Sequence, residues 1–379
     1  MSPLRDLFLL RDDIVFLNHG SLGACPRPVF EVYQDWQREL ERQPVEFLGR
    51  RFGVLMKESR DALGPYLNAD PDHLVFVPNA TTGVNIIAHS IPFEKGDEIL
   101  TTTHSYGAMD RTWEWISTRF GAHYVRLPVT LPLTTPESLI EEIWSGVTDQ
   151  TRVLFLSHIT SPSALTWPIA ELIGRARERN IITVIDGAHA PGQIPLDLET
   201  LGADFYTGNC HKWLMAPKGA AFLFARPEKH FLVEPLVISW NNMSASGGRF
   251  IQELEFQGTR DIAAYLSVPA AIAFLEEHDW ESVRENCREL VRYARVRLVE
   301  ITGETPLCPE AGGWLNQMVA QPLPAGVDGE ALKERLYDTH RIEVPVTWLE
   351  GRPLIRLSVQ GYNTRADVDA FLEALGAAL

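Results

Sequence analysis

The chain has 379 residues, enough for about two domains, and 45 % of them are apolar, as in an ordinary soluble globular protein with a sizeable core. Its formal net charge of −16 argues against nucleic acid or an anionic membrane as the main partner, while leaving room for a local basic pocket. Cys25, Cys210, Cys287 and Cys308 are scattered with no C-x-x-C pair, so neither a disulfide framework nor a zinc ribbon is indicated and no metal is expected. The apolar L-F-L-L at 7–10 is cut off by Arg11, Asp12 and Asp13, too short for the core of a signal peptide. No run approaches the length of a membrane span, and the cytoplasm is the simplest location.

Residues 14–25, I-V-F-L-N-H-G-S-L-G-A-C, form a brief apolar run ending in a Gly-rich turn. Pro26 and Pro28 then open a helix with Val29, Val32, Tyr33, Trp36 and Leu40 along one face. Residues 44–67 read as a further helix, and 73–77 as a short strand. The segment P-N-A-T-T-G-V-N-I-I-A, 78–88, is a turn opening a helix, where small residues and the helix dipole favour an anion. Taken alone, that segment is better explained as an ordinary Thr N-cap, and the anion reading gains from the rest of the site. Strands at 97–103, 123–127 and 152–157 alternate with helices at 109–120, 136–145 and 168–179. This rhythm predicts right-handed βαβ units and a largely parallel sheet, with the ligand beyond the carboxyl ends of the strands. Thr81, Tyr106, His158, Asp186 and Lys212 all fall near such ends. After about residue 262 two long helices, 262–279 and 281–300, lead into strands near 314–320, 341–346 and 354–359 and a closing helix at 365–378. The segment 234–250, rich in Trp, Asn, Ser and Gly, has no clear assignment.

Two stretches carry the chemistry. In T-G-N-C-H-K-W-L-M-A-P-K-G-A-A-F-L-F, 207–224, Lys212 stands between a short polar turn and an apolar strand. Desolvation there lowers an amine's pKa and exposes its lone pair, as a Schiff-base lysine needs. In I-I-T-V-I-D-G-A-H-A, 181–190, a β-branched run ends in Asp186, with His189 close behind. A strand-end Asp is often only a helix N-cap and a loop Lys is usually solvated. Together, and in this order, they match the needs of pyridoxal 5'-phosphate (PLP): an acid for the pyridine nitrogen and an amine for the aldehyde carbon. A metal or ligand site built from His158, His189, His211 and Cys210 is a rival from another class, but it leaves Lys212 and the anion-favouring turn unexplained.

The chain resembles the class V aminotransferase family of PLP enzymes, fold type I, in its isopenicillin N epimerase-like branch related to cysteine desulfurases. The resemblance is carried by F-L-N-H-G-S-L-G (16–23), N-A-T-T-G-V-N (79–85), T-H-S-Y-G-A (103–108), S-H-I-T-S-P-S-A-L (157–165), D-G-A-H-A-P-G (186–192), G-N-C-H-K-W-L (208–214), F-Q-G-T-R-D (256–261) and I-R-L-S-V-Q-G-Y-N-T (355–364). It implies an α/β fold with a mainly parallel, seven-stranded-type sheet flanked by helices and a smaller C-terminal α+β domain. The expected division is an N-terminal segment 1–30 lining the active site, a PLP-binding domain 31–262 and a small domain 263–379.

The resemblance also implies roles. Lys212 is the Schiff-base lysine and then the base at Cα, Asp186 pairs with the pyridine nitrogen, and His189 contacts the phenolic oxygen. Tyr106 stacks on the ring, with His104 as its rival. Thr82, with the Ala80 and Thr81 backbone, Asn209 and His211, binds phosphate. Gly258 and Thr259 match a phosphate contact supplied by the partner subunit, which implies a homodimer with composite sites. Arg356 clamps the substrate carboxylate, and Asn18 and His19 line the same entrance. Lys218 is the competing lysine. No cysteine stands in 337–356, where persulfide-forming desulfurases keep their nucleophile, and Ser161 replaces an asparagine common among them. The expected activity is a C–S β-lyase on cysteine or a cysteine S-conjugate. An epimerase, with Tyr106 or His19 as second acid–base group, and a transaminating or decarboxylating enzyme are the alternatives.

Overall fold

The computed structural model describes residues 4–240 and 249–379. Of the unassigned segment 234–250, residues 241–248 lie outside the described part. The strands are β1 (Val15–Phe16), β2 (Leu74–Val77), β3 (Glu98–Thr102), β4 (His123–Leu127), β5 (Thr151–Ser157), β6 (Ile182–Asp186), β7 (Phe205–Asn209), β8 (Ala221–Ala225), β9 (Met318–Pro322), β10 (Ile342–Glu343), β11 (Val346–Leu349) and β12 (Arg352–Ser358). A seven-stranded sheet has the order β2-β8-β7-β6-β5-β3-β4. β8 is antiparallel to both its neighbours, and the remaining pairs are parallel. β2, β3, β5, β6 and β7 therefore all point their carboxyl ends at one edge, and β8 begins there.

Alternate residues of each strand enter opposite layers, as the pleat requires. Leu74, Phe76, Leu154, Leu156, Phe222 and Phe224 join the core layer under the helices Arg27–Arg42 and Phe52–Leu67. Val75, Val77, Val153, Phe155, Val184 and Leu223 join the layer under Ala80–Ser90 and Gly107–Phe120. Both faces are covered, so the strands read as continuous apolar runs rather than alternating ones. The expected α/β architecture is present, with a small antiparallel sheet, β11-β12-β9, in the C-terminal part.

The differences from expectation are local. Residues 207–209, expected as a polar turn, are the buried end of β7, with Thr207 paired to both β6 and β8 and Gly208 and Asn209 paired to β8. Phe205, Tyr206 and Thr207 favour a strand, whereas Gly208 and Asn209 do not and are held in the sheet by pairing with Phe222 and Ala221 of β8. The helix expected over 44–67 begins as a π-helical turn, Glu46–Arg51, before Phe52–Leu67. The helix Gly329–His340 was not anticipated. The helices Ala263–Leu266 and Val268–Glu277 pack on Arg27–Arg42 and Phe52–Leu67. β1 pairs in parallel with β10, matching Val15 with Ile342 and Phe16 with Glu343, so the amino-terminal segment is stitched to the C-terminal part. No helix among the described residues is long and apolar enough to cross a membrane.

Candidate active site

A cavity of about 360 Å³ opens at the edge where the strand ends converge. Asn79 and Thr81 follow β2, Tyr106 follows β3, and Ser157, Asp186 and Asn209 end β5, β6 and β7. Lys212 and His211 come from the β7–β8 connection. That connection is a closed turn: Ala216 N–H donates to the Cys210 carbonyl and His211 N–H to that of Ala220. Gly23 lies across it with φ +72°, where a Cβ would stand 2.1 Å from the His211 carbonyl oxygen. Only glycine lets the amino-terminal segment pass this close to the lysine loop.

Lys212 Nζ lies 3.3 Å from His189 Nε2, and the indole N–H of Trp213 donates to His189 Nδ1 at 3.3 Å. The indole donation leaves the proton of neutral His189 on Nε2. That N–H faces an amine with which it can bond only when the amine is uncharged. Burial, together with the Arg356 charge, lowers the Lys212 pKa to about 8, against the pull of Asp186. Burial, helped by the charges on Lys212 and Arg356, pushes His189 well below its usual range. Asp186 is buried, and its Oδ1 accepts from Ala188 N–H at 2.9 Å. Burial raises its pKa, opposed by that N–H and by the Lys212 charge.

Arg356, on β12, is buried behind two residues of the cavity wall. Its Nη1 donates to the Ser161 carbonyl at 2.6 Å and to Ser161 Oγ at 3.2 Å, and its Nη2 donates to Ser21 Oγ at 3.0 Å. Its Nε–H is buried without a partner, and no carboxylate among the described residues pairs with it. Burial lowers its pKa to about 10. A buried cation without a carboxylate partner is costly, and an anion placed beside it would offset that cost. Lys212 and Lys218 line the cavity, with Arg356 behind its wall, and Asp186 is the one carboxylate of its lining among the described residues, in a chain whose net charge is −16. Ser157 Oγ, also in the cavity wall, is a second buried polar atom without a partner.

Several expected residues sit differently. His19 does not line the entrance. It is fully buried, its Nε2 bonded to the Lys212 carbonyl and its Nδ1 to Tyr362 Oη, both at 3.0 Å, and so it fastens the lysine loop to the C-terminal part. Asn18 faces a neighbouring groove, where it accepts from Ser21 and donates to Glu343. Thr82 is turned away by the helical rotation: Asn79 Oδ1 accepts from both its N–H and its hydroxyl. The Ala80 N–H is held by Asn209 Oδ1 at 2.9 Å. Thr81, rather than Thr82, lines the cavity. Tyr106 stands at the rim, 47 % exposed, whereas its rival His104 is buried against Ser163. His211 Nδ1 donates to the Ala220 carbonyl, and burial lowers its pKa to about 4. Gly258 and Thr259 are absent from this chain's cavity wall, and Thr259 is exposed. Lys218 does line the cavity, but it is exposed.

The rival metal set does not assemble. His158 bonds Tyr206 Oη, Cys210 is buried in the core, and no three His, Cys, Asp or Glu among the described residues converge as a metal site. Burial raises all four thiols, Cys25 and Cys287 to about 12 and Cys308 to about 11, so none is a ready thiolate. Sequence reasoning missed Ser21 and Ser157. Ser21 is one residue of the Gly-rich turn, and nothing local distinguishes it from any other turn serine.

The aminotransferase class-V profile matches residues 25–371. The chain belongs to the class V aminotransferase family. Within the family it is 37 % identical to the isopenicillin N epimerase of Amycolatopsis lactamdurans over 98 % of this chain and 96 % of that protein. It is 29 % identical to a probable chloroplastic L-cysteine desulfhydrase of Arabidopsis thaliana, over 96 % of this chain and 82 % of that one. A solved C-DES variant with glycine covalently linked to its PLP cofactor superposes with a TM-score of 0.85 at 21 % identity, covering 99 % of both chains. That likeness shows the fold, which is type I of the PLP-dependent enzymes.

Proposed function

We propose that this class V chain uses PLP to act at the Cα of an amino acid, as a C–S β-lyase on a cysteine S-conjugate or cysteine. The observation that carries it is the buried Arg356 guanidinium, without a carboxylate partner among the described residues, beside a lysine whose pKa is lowered to about 8. The cavity suits the cofactor. Asp186 offers a buried carboxylate to a protonated ring nitrogen, and His189 Nε2–H offers a donor to the phenolic oxygen. Tyr106 presents a ring at the rim, and Thr81, Asn209 and His211 gather at the end expected for phosphate. When bound, PLP supplies an electron sink that makes the Cα proton acidic.

The residues of the chain supply the rest. Arg356 holds the α-carboxylate through its free N–H groups, with Ser21 and Ser161 fixing the plane of the guanidinium. Lys212, its pKa lowered to about 8 so that the neutral amine is well populated near that pH, removes the Cα proton. The β-sulfur leaves as a thiolate with the electron pair of the Cβ–S bond, and water releases pyruvate and ammonia. This route needs one base. His19, the alternative second acid–base group, has both ring nitrogens engaged. The greater identity to isopenicillin N epimerase favours epimerisation as the second reading, with Tyr106 as the group on the far face. Exposed Thr259, with Gly258, supports a homodimer in which a second copy completes the phosphate site. The four free cysteines suit the reducing cytoplasm.

Incubating cofactor-loaded protein with cysteine S-conjugates and measuring pyruvate alongside optical purity separates the outcomes. Pyruvate supports the lyase. Racemised substrate without pyruvate replaces it with the epimerase.

A further inference from the structure

A second groove, of about 480 Å³, lies beside the cavity, and Ser21 and Leu22 line both. Ser21 is the residue that holds Arg356 Nη2, so the groove opens directly beside the place proposed for the substrate carboxylate. Its wall is mostly apolar, with Leu9, Leu10, Ile14 and Phe16 facing Leu22. Leu9 is 51 % exposed and Leu22 is 68 % exposed, which leaves apolar surface in water at the lip of a polar site. The one cation in the wall, Arg11, is engaged by Asp13, so the groove offers no free positive charge to a second anionic group.

We infer that this groove takes the substrate's side chain, and that the preferred substrate is an α-amino acid bearing a long, largely apolar substituent beyond Cβ. The inference rests on the reading of Arg356 as the carboxylate site. Cysteine itself ends at its sulfur, a few ångströms from Cα, and would leave the groove empty. An S-alkyl or S-aryl conjugate runs across Ser21 and Leu22, the wall that the cavity and the groove share, and covers the exposed leucines. The same shape serves lyase and epimerase chemistry, because both keep the side chain on the same carbon.

The test is a calorimetric titration of the cofactor-loaded protein with alanine, norvaline and 2-aminooctanoate, which lack a β leaving group. Each methylene that enters the groove strengthens binding roughly four-fold. Leu9→Asp, at a position that touches the groove but not the cavity, flattens this dependence and leaves alanine affinity unchanged. Equal affinity across the wild-type series, or a Leu9→Asp series as steep as the wild type, overturns the inference and leaves the Arg356 reading standing. Failure of every amino acid, alanine included, to bind sinks both.

Discussion

Arg356 and Ser21 are 335 positions apart in the chain, yet they are joined by a 3.0 Å hydrogen bond. Ser21 in turn donates to Asn18, and Asn18 donates to Glu343 on β10, the strand that pairs with β1. The guanidinium is thus aimed by the seam between the amino-terminal segment and the C-terminal part. A hydrogen bond to a charged group contributes about 1.5–3 kcal/mol. Ser21→Ala is therefore expected to raise KM for the amino acid by about ten-fold or more, with a smaller change in kcat. Arg356→Lys loses the fork that reaches both serines, and KM rises by roughly a hundred-fold. Steady-state kinetics reads both; an unchanged KM in Arg356→Lys removes the arginine from the carboxylate site.

The pH dependence of cofactor capture follows from Lys212. Its pKa is lowered to about 8, so the reactive free amine accumulates as pH rises toward 8 and saturates above it. An ordinary lysine would keep gaining reactivity past pH 10. Rates of PLP uptake by the apoprotein, followed by visible absorbance between pH 6 and 10, are expected to rise with a midpoint near pH 8 and level off above it. In Trp213→Phe the indole no longer holds His189 as the Nε2–H tautomer. A lone pair on Nε2 then accepts from the charged amine, stabilises it and moves the plateau to higher pH. An unmoved plateau separates the tautomer from the lysine's acidity.

Asn79 caps the helix Ala80–Ser90 by accepting from the Thr82 N–H at 2.8 Å, directly beneath the wall formed by Thr81. Asn79→Ala is expected to cost about 1 kcal/mol of stability, read from urea unfolding. It also loosens the turn that presents Thr81, so PLP affinity should fall together with stability. A stability loss with full cofactor affinity would detach this helix start from the phosphate.

The alternation of apolar strands with amphipathic helices, and the positions of Asp186 and Lys212, were legible in the chain because they are local. A β-branched run ending in an acid, and a lysine ahead of a buried strand, announce themselves within ten residues. β4 and the closing helix Arg365–Ala378 match their expected limits for the same reason. The end of β7 was not legible, since Gly208 and Asn209 disfavour a strand and are held in the sheet by β8. The division of labour between Thr81 and Thr82 was decided by an Asn79 side chain folding back onto the helix start. The sequence by itself determined the sheet, the lysine and the carboxylate, because periodicity and residue chemistry act over short distances. Only the tertiary structure decided that His19 clamps a backbone rather than facing substrate, that Ser21 aims Arg356, and that a second groove adjoins them. Those outcomes depend on segments hundreds of positions apart meeting at one seam, where hydrogen-bond geometry, and not composition, selects the partners.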